Sequence, residues 1–163
     1  MLTALSLVVL WAAAMAPWGR IGLVAGAGLM PAAAVISAGP AAGGLCWAGT
    51  SVLALILLPS KGCGLLYLIF FGLYPLVKWA AERLRKLPLE LVVKLAFFNV
   101  ALTVLWFGLR GIFLWGIPQA EELGWLLYPI GNVLFLVYDY GFSKLIAFYV
   151  ARVDRPMRRG RGI

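Results

Sequence analysis

Residues 89–116 read LELVVKLAFFNVALTVLWFGLRGIFLWG, and this stretch decides the fold class. Across its length only Glu90, Lys94 and Arg110 carry charge. An α-helix rises about 1.5 Å per residue, so about 20 apolar residues cross a hydrocarbon core ~30 Å thick. The run is therefore long enough to span a bilayer. Its composition is shared by the rest of the chain. Of 163 residues, 64% are hydrophobic and 12% charged, and the mean hydropathy is +0.99. Soluble domains run nearer half apolar and a quarter charged, and disordered chains are poorer still in apolar residues. The expected fold is all-α, a polytopic membrane helix bundle of about six transmembrane helices. Residues 1–150 form one transmembrane domain and 151–163 a basic tail, which leaves no room for a separate soluble domain.

Prolines and charges punctuate the remaining spans. Pro17, Pro40, Pro59, Pro88, Pro118 and Pro156 fall near the ends of apolar runs, as suits a residue that breaks helix hydrogen bonding. Pro31, Pro75 and Pro129 lie inside such runs and predict kinks, which bilayer helices tolerate when neighbours satisfy the freed carbonyls. The spans read 2–17, 21–38, 41–58, 63–82, 89–116 and 124–150. The first two are short for a bilayer, and a re-entrant segment within 1–58 gives a five-span alternative. Ala14-Met15-Ala16 has the spacing of a signal-peptide cleavage site. No basic residue precedes that apolar run, however, and Pro17 directly follows, so cleavage is not expected.

Orientation follows from where the basic residues sit. Arg83, Arg85 and Lys86 crowd the link between spans four and five, with Lys78 just before them, and Arg152, Arg155, Arg158, Arg159 and Arg161 the C-terminus. The link between spans five and six holds Glu121 and Glu122 and no Lys or Arg. By the positive-inside rule both basic clusters and both termini are cytoplasmic. Only Arg20 and Lys61 fall in the other external links. Trp18, Tyr67, Trp115, Trp125 and Tyr128 then gather at the outer boundary, and Trp79 and Tyr149 near the inner one, as an aromatic belt. The formal charge of +8 is accounted for by these clusters. It reads as attraction to the anionic inner leaflet, with no nucleic-acid partner implied.

The chemistry available is narrow. There is no histidine, hence no imidazole base and no His-based metal site. Cys46 and Cys63 are expected at different depths, too far apart for a disulfide, and read as small apolar fillers. No Walker A loop, HExxH, GxSxG or DxD pattern occurs. Glu121 and Glu122 are adjacent without a catalytic context. No enzyme activity, metal or cofactor is expected, and any ATP-driven transport requires an ATPase on another chain.

Ionisable groups at bilayer depth are costly, at least ~2.5–3.5 kcal/mol each on insertion scales, and mark function by default. Asp139 lies mid-way along span six, with Lys78 of span four and Asn99 of span five at similar depth. An Asp139–Lys78 pair removes both charges from lipid, either as a structural lock between helices or as part of gating or ion coupling. Arg110 stands about two turns below the outer end of span five, level with Asn132. With Trp115, Trp125 and Tyr128 these residues form a candidate outward-facing pocket, since small-molecule sites combine aromatic walls with few oriented polar groups. The competing reading has Arg110 snorkelling to the headgroups and the aromatics forming only a belt. Glu90 and Lys94 read as an ordinary i,i+4 helix pair.

Small residues cluster in the first half, in Ala12-xxx-Ala16, Gly22-xxx-Gly26, Gly28-xxx-Ala32, Ala34-xxx-Ala38 and Gly39-xxx-Gly43. Such spacing lets backbones approach closely in lipid, within the chain or against another membrane subunit. Gly22, Gly26, Ala12 and Ala16 are the candidate docking positions.

Six spans with both termini inside, no catalytic motif, small residues early and an aromatic outer mouth resemble the substrate-binding S components of energy-coupling factor transporters. The stretch Phe70-Phe71-Gly72-Leu73-Tyr74-Pro75-Leu76-Val77-Lys78, with Lys94-Leu95-Ala96-Phe97-Phe98-Asn99, also resembles small uncharacterised membrane proteins of Gram-positive bacteria. The first resemblance implies capture of a small molecule from outside and association with a transmembrane coupling protein and two ABC-type ATPases. Lack of an N-terminal histidine makes an organic ligand the expectation. The family's Ala-xxx-Ala coupling surface has its spacing at Ala12-xxx-Ala16, but in the outer half of span one, away from cytoplasmic coupling helices. The other reading of the chain is a non-catalytic scaffold or assembly factor docked on a partner membrane protein through its small-residue half.

Overall fold

The computed structural model describes residues 1–84, 86–108 and 124–154. All regular secondary structure among them is helical. The elements are α1 (Leu2–Met15), α2 (Arg20–Ala27), α3 (Leu29–Ala38), α4 (Pro40–Leu57), α5 (Lys61–Leu66), α6 (Tyr74–Glu82), α7 (Leu87–Thr103) and α8 (Gly124–Tyr149). Single π-helical turns follow α5 (Tyr67–Phe71), α7 (Val104–Gly108) and α8 (Val150–Asp154). Five stretches are long and apolar enough to cross a bilayer: Arg20–Ala38, Pro40–Leu57, Lys61–Glu82, Leu87–Phe107 and Tyr128–Arg152. Helix α1 is also apolar but has 14 residues, about 21 Å against a core of ~30 Å.

Pro31 and Pro75 fall at helix breaks as expected, and neighbours repair the breaks, whereas Pro129 lies inside α8 without ending it. Pro31 has no N–H to offer the carbonyl of Ala27 one turn back, and Ser6 on α1 donates Oγ–H to that oxygen at 3.1 Å. Pro75 likewise leaves the Phe71 carbonyl without its helical donor. Gly28, at the α2–α3 joint, lies against this oxygen, so closely that a Cβ there would stand 2.5 Å from it. In the π turn the Gly72 N–H bonds back to Tyr67 O (2.8 Å) instead of to Leu68 O. The displaced acceptor receives the Trp47 indole N–H from α4 at 3.0 Å. Gly39 turns the chain from α3 into α4 at φ +90°, a conformation costly for residues with a Cβ.

Helices α3 and α4 pack face to face, and α1 lies against α2, α3 and α4. The core of Leu10, Val24, Ala54, Tyr67 and Tyr74, each fully buried, is therefore shared among α1, α2, α4, the first π turn and α6. Tyr67 is a correction to the aromatic belt read from sequence. It is enclosed in this core, fully buried, with its hydroxyl 3.2 Å from Ser6 Oγ. Cys46 and Cys63 are free thiols, both buried. At the ends of α1 and α4, Arg20 Nε donates to Ala16 O (2.7 Å) and Lys61 Nζ to Leu55 O (2.7 Å). Both cations thus cap helix C-termini, where the dipole favours positive charge.

Helices α7 and α8 differ from the rest. Only 11% of each span is buried, against 50% of Lys61–Glu82. Leu91, Val92 and Val100 on α7, Phe107 on the π turn after it, and Val133, Leu134, Val137 and Leu145 on α8 lie exposed, an apolar surface suited to lipid. Among the described residues, α7 and α8 reach the bundle through α6 and α3 and meet one another along a polar seam.

Candidate functional site

Three short repeats of polar residues at helical spacing build the inner part of this seam. Tyr74, Lys78 and Glu82 fall at i, i+4 and i+8 on α6, Glu90 and Lys94 at i and i+4 on α7, and Asp139 and Ser143 at i and i+4 on α8. Each set lies on one helix face, and the three faces converge. Asp139 Oδ1 accepts from Lys78 Nζ at 2.7 Å and from the Tyr74 hydroxyl, while Oδ2 accepts from Lys94 Nζ at 3.2 Å. Lys78 also reaches Ser143 Oγ (2.8 Å) and Glu82 Oε1 (3.0 Å), and Lys94 reaches Glu90 Oε1 (2.5 Å). Ser143 in turn donates to the Asp139 carbonyl (2.8 Å).

The charges are arranged by depth. The side chains of Lys78 and Lys94 are 5% and 3% exposed and that of Asp139 14%, whereas Glu82 is 50% exposed. The cluster is most enclosed at its lysines and opens at Glu82, the end of α6. Two ammonium groups face three carboxylates, so the lysines have no uncompensated charge. One carboxylate is shared by lysines from two other helices. Removing it would leave both buried and short of acceptors, the situation in which broken buried pairs cost most.

A second, uncharged layer lies further along the same seam. Asn99 on α7 and Asn132 on α8 exchange side-chain amide bonds at 3.0 and 3.2 Å. Each also donates to a carbonyl four residues back on its own helix, Asn99 to Leu95 and Asn132 to Tyr128, both at 2.8 Å. Thr103 Oγ donates to Asn99 O (2.7 Å). Its one proton is used there, so the Tyr128 hydroxyl is the donor in the 3.0 Å contact with Thr103 Oγ. Between the layers, Phe98 of α7 stacks on Phe135 of α8 with ring centroids 4.8 Å apart. Phe70 and the Tyr74 ring close around that pair. The seam therefore runs from a neutral amide and phenol layer, through an aromatic layer, to an ion cluster.

The sequence-derived positions distribute unevenly over this arrangement. Lys78 and Asp139 come together. Asn99 does not join them: it stands five residues beyond Lys94, about 7.5 Å further along α7, and pairs with Asn132 instead. Asn132 and Tyr128, expected at the outer pocket, thus belong to the uncharged layer. Arg110 and Trp115 lie outside the described residues, as does the side chain of Trp125.

Gly22 and Gly26 have no atom within 4 Å of a built Cβ, and Ala12 is exposed with Ala16 half-buried. Close backbone packing occurs instead at Gly28 and at Gly43, which is pressed against the Val35 side chain and stands 3.2 Å, measured from a Cβ, from the Pro31 carbonyl.

Lys94 keeps the expected i,i+4 pair with Glu90, but its deep burial and its contact with Asp139 were missed. Tyr74, Ser143 and Thr103 were missed too. The available signal was their i,i+4 spacing from Lys78, Asp139 and Asn99. Among the described residues no three His, Cys, Asp or Glu side chains converge for a metal ion. No family model, curated protein or solved structure matches the chain.

Proposed function

We propose that this chain is the substrate-binding membrane subunit of an uptake system for a small organic molecule. In this reading it resides in the cell membrane and is energised by separate ATPase subunits. The observation that carries the reading is the two-layer seam between α7 and α8. In the uncharged layer the Asn99 and Asn132 amides satisfy one another, so an incoming solute with amide, carboxyl or hydroxyl groups replaces one partner without leaving a buried polar group unpaired. Tyr128 and Thr103 supply the next donor and acceptor, and Phe98 and Phe135 form an apolar floor. Below that floor the Lys78–Asp139–Lys94 cluster fixes α6, α7 and α8 at the cytoplasmic end and closes the path. Passage then requires the cluster to loosen, a task suited to an ATP-driven partner, since the sequence carries no nucleotide-binding loop of its own.

The test is gentle purification of the tagged protein from its native membrane, followed by mass spectrometry of the accompanying proteins. Recovery of a coupling membrane protein with ABC-type ATPases supports the proposal. Reproducible recovery of another complex without an ATPase overturns it in favour of a scaffold.

A further inference from the structure

A groove of about 310 Å³ runs along the half of the bundle that holds both the start of α1 and the end of α8. Leu2 and Leu5 of α1, Ala33 and Ile36 of α3, and Leu145 and Phe148 of α8 line it with carbon. Its polar features are confined to one end. There the Tyr149 hydroxyl stands 3.5 Å from Ser37 Oγ, and Tyr149 itself forms part of the wall. One turn past Phe148, the exposed Arg152 places its guanidinium 5.7 Å from the Phe148 ring centroid. The residues that follow add Arg155, Arg158, Arg159 and Arg161 to the same end of the chain. Apolar walls, a pair of hydroxyls at the rim and a cation above the rim repeat the order of groups in a phospholipid: acyl chain, glycerol ester, phosphate.

We infer that this groove is a binding site for one anionic phospholipid of the cytoplasmic leaflet. One acyl chain lies between α1, α3 and α8, the ester oxygens meet Ser37 and Tyr149, and the phosphate meets Arg152. Charge complementarity selects the occupant. A second protein helix is too wide for a groove of this volume, and the headgroup cation of a zwitterionic lipid offsets part of what its phosphate gains from the arginine. The lipid ties α8, which is otherwise poorly buried, to α1 and α3. This differs from diffuse attraction of a basic tail to the inner leaflet, because it requires the acyl groove as well as the charge.

Native mass spectrometry on the full-length detergent-purified protein tests the site, with phosphatidylglycerol and phosphatidylcholine added as probes. The wild type is expected to retain one phosphatidylglycerol in preference to phosphatidylcholine. Arg152→Gln changes an exposed residue and is expected to lower that preference about fivefold, the weight of one basic residue near a membrane surface. Ala33→Leu fills the groove and is expected to reduce retention of both lipids. An unchanged preference in Arg152→Gln overturns the assignment of the phosphate to Arg152. Undiminished lipid retention in a folded Ala33→Leu protein overturns the groove itself.

Discussion

At Lys94 the sequence offers two neighbours of opposite sign, and which one matters depends on what covers the ammonium. Glu90 is one turn away on the same helix, and its side chain keeps 21% exposure. Asp139 is far off in sequence but meets Lys94 inside the bundle. Lys94→Met removes one cation from a cluster holding three carboxylates and is expected to destabilise the protein by about 3–5 kcal/mol, the cost of breaking a buried pair. Glu90→Gln keeps the Asp139 contact and should cost much less. Thermal unfolding in detergent separates the two.

The Asn99–Asn132 pair is expected to be weaker. Interhelical polar contacts in membranes average about 0.6 kcal/mol and reach about 1.7. A double-mutant cycle with Asn99→Ala and Asn132→Ala should give a coupling in that range. Lys78 and Asp139 were legible as a pair because two opposite charges at one depth demand each other. Lys94 was not, because a nearer partner at i,i+4 already explained it.

Among the elements, the α2–α3 joint and the break before α6 are one construction. Two prolines free two carbonyls; a serine from α1 takes one, and Gly28 makes room beside the other. Gly28→Val would drive a branched side chain into the Phe71 carbonyl, a backbone atom that cannot rotate aside. A loss of about 1–3 kcal/mol is expected, the usual cost of overpacking. Gly22→Val and Gly26→Val meet open space and are expected to unfold within about 0.5 kcal/mol of wild type. The same unfolding assay reads all three.

Pro31 and Pro75 announced these breaks in sequence, but a missing N–H alone does not make one, since Pro129 lies inside an unbroken α8. Which glycine was structural did not show, because GxxxG-like spacing recurs throughout so small-residue-rich a stretch. Tyr67 went wrong because an amphipathic ring suits a membrane interface as well as a core, and the buried partner of its hydroxyl, Ser6, lies 61 residues away in sequence.

For the whole molecule, composition sufficed to give a helical bundle with spans long and apolar enough for a bilayer. Span bounds came within a few residues of those observed, apart from span five, whose expected end at 116 lies outside the described residues. What composition could not give was the division of labour: a well-packed core of α1 to α6, and two lipid-facing helices joined to it through a polar seam. Leu2 and Tyr149 line one groove, so the chain's start and the end of α8 share one end of the bundle. In the proposed topology positive charge makes that end the cytoplasmic one. In cells, an introduced cysteine at Lys86→Cys should be shielded from a membrane-impermeant maleimide, while one at Ser60→Cys reacts. The reverse pattern would invert the topology.

The central claim is that one carboxylate, Asp139, joins α6, α7 and α8 through two buried lysines. Unfolding of Asp139→Asn beside the triple variant Lys78→Met, Lys94→Met, Asp139→Leu tests it most directly. The single change is expected to lose about 3–5 kcal/mol and the triple variant to recover most of it, because apolar side chains of similar volume replace a buried ion cluster with little or no loss. An Asp139→Asn protein as stable as wild type, or a triple variant less stable than the single one, would contradict it.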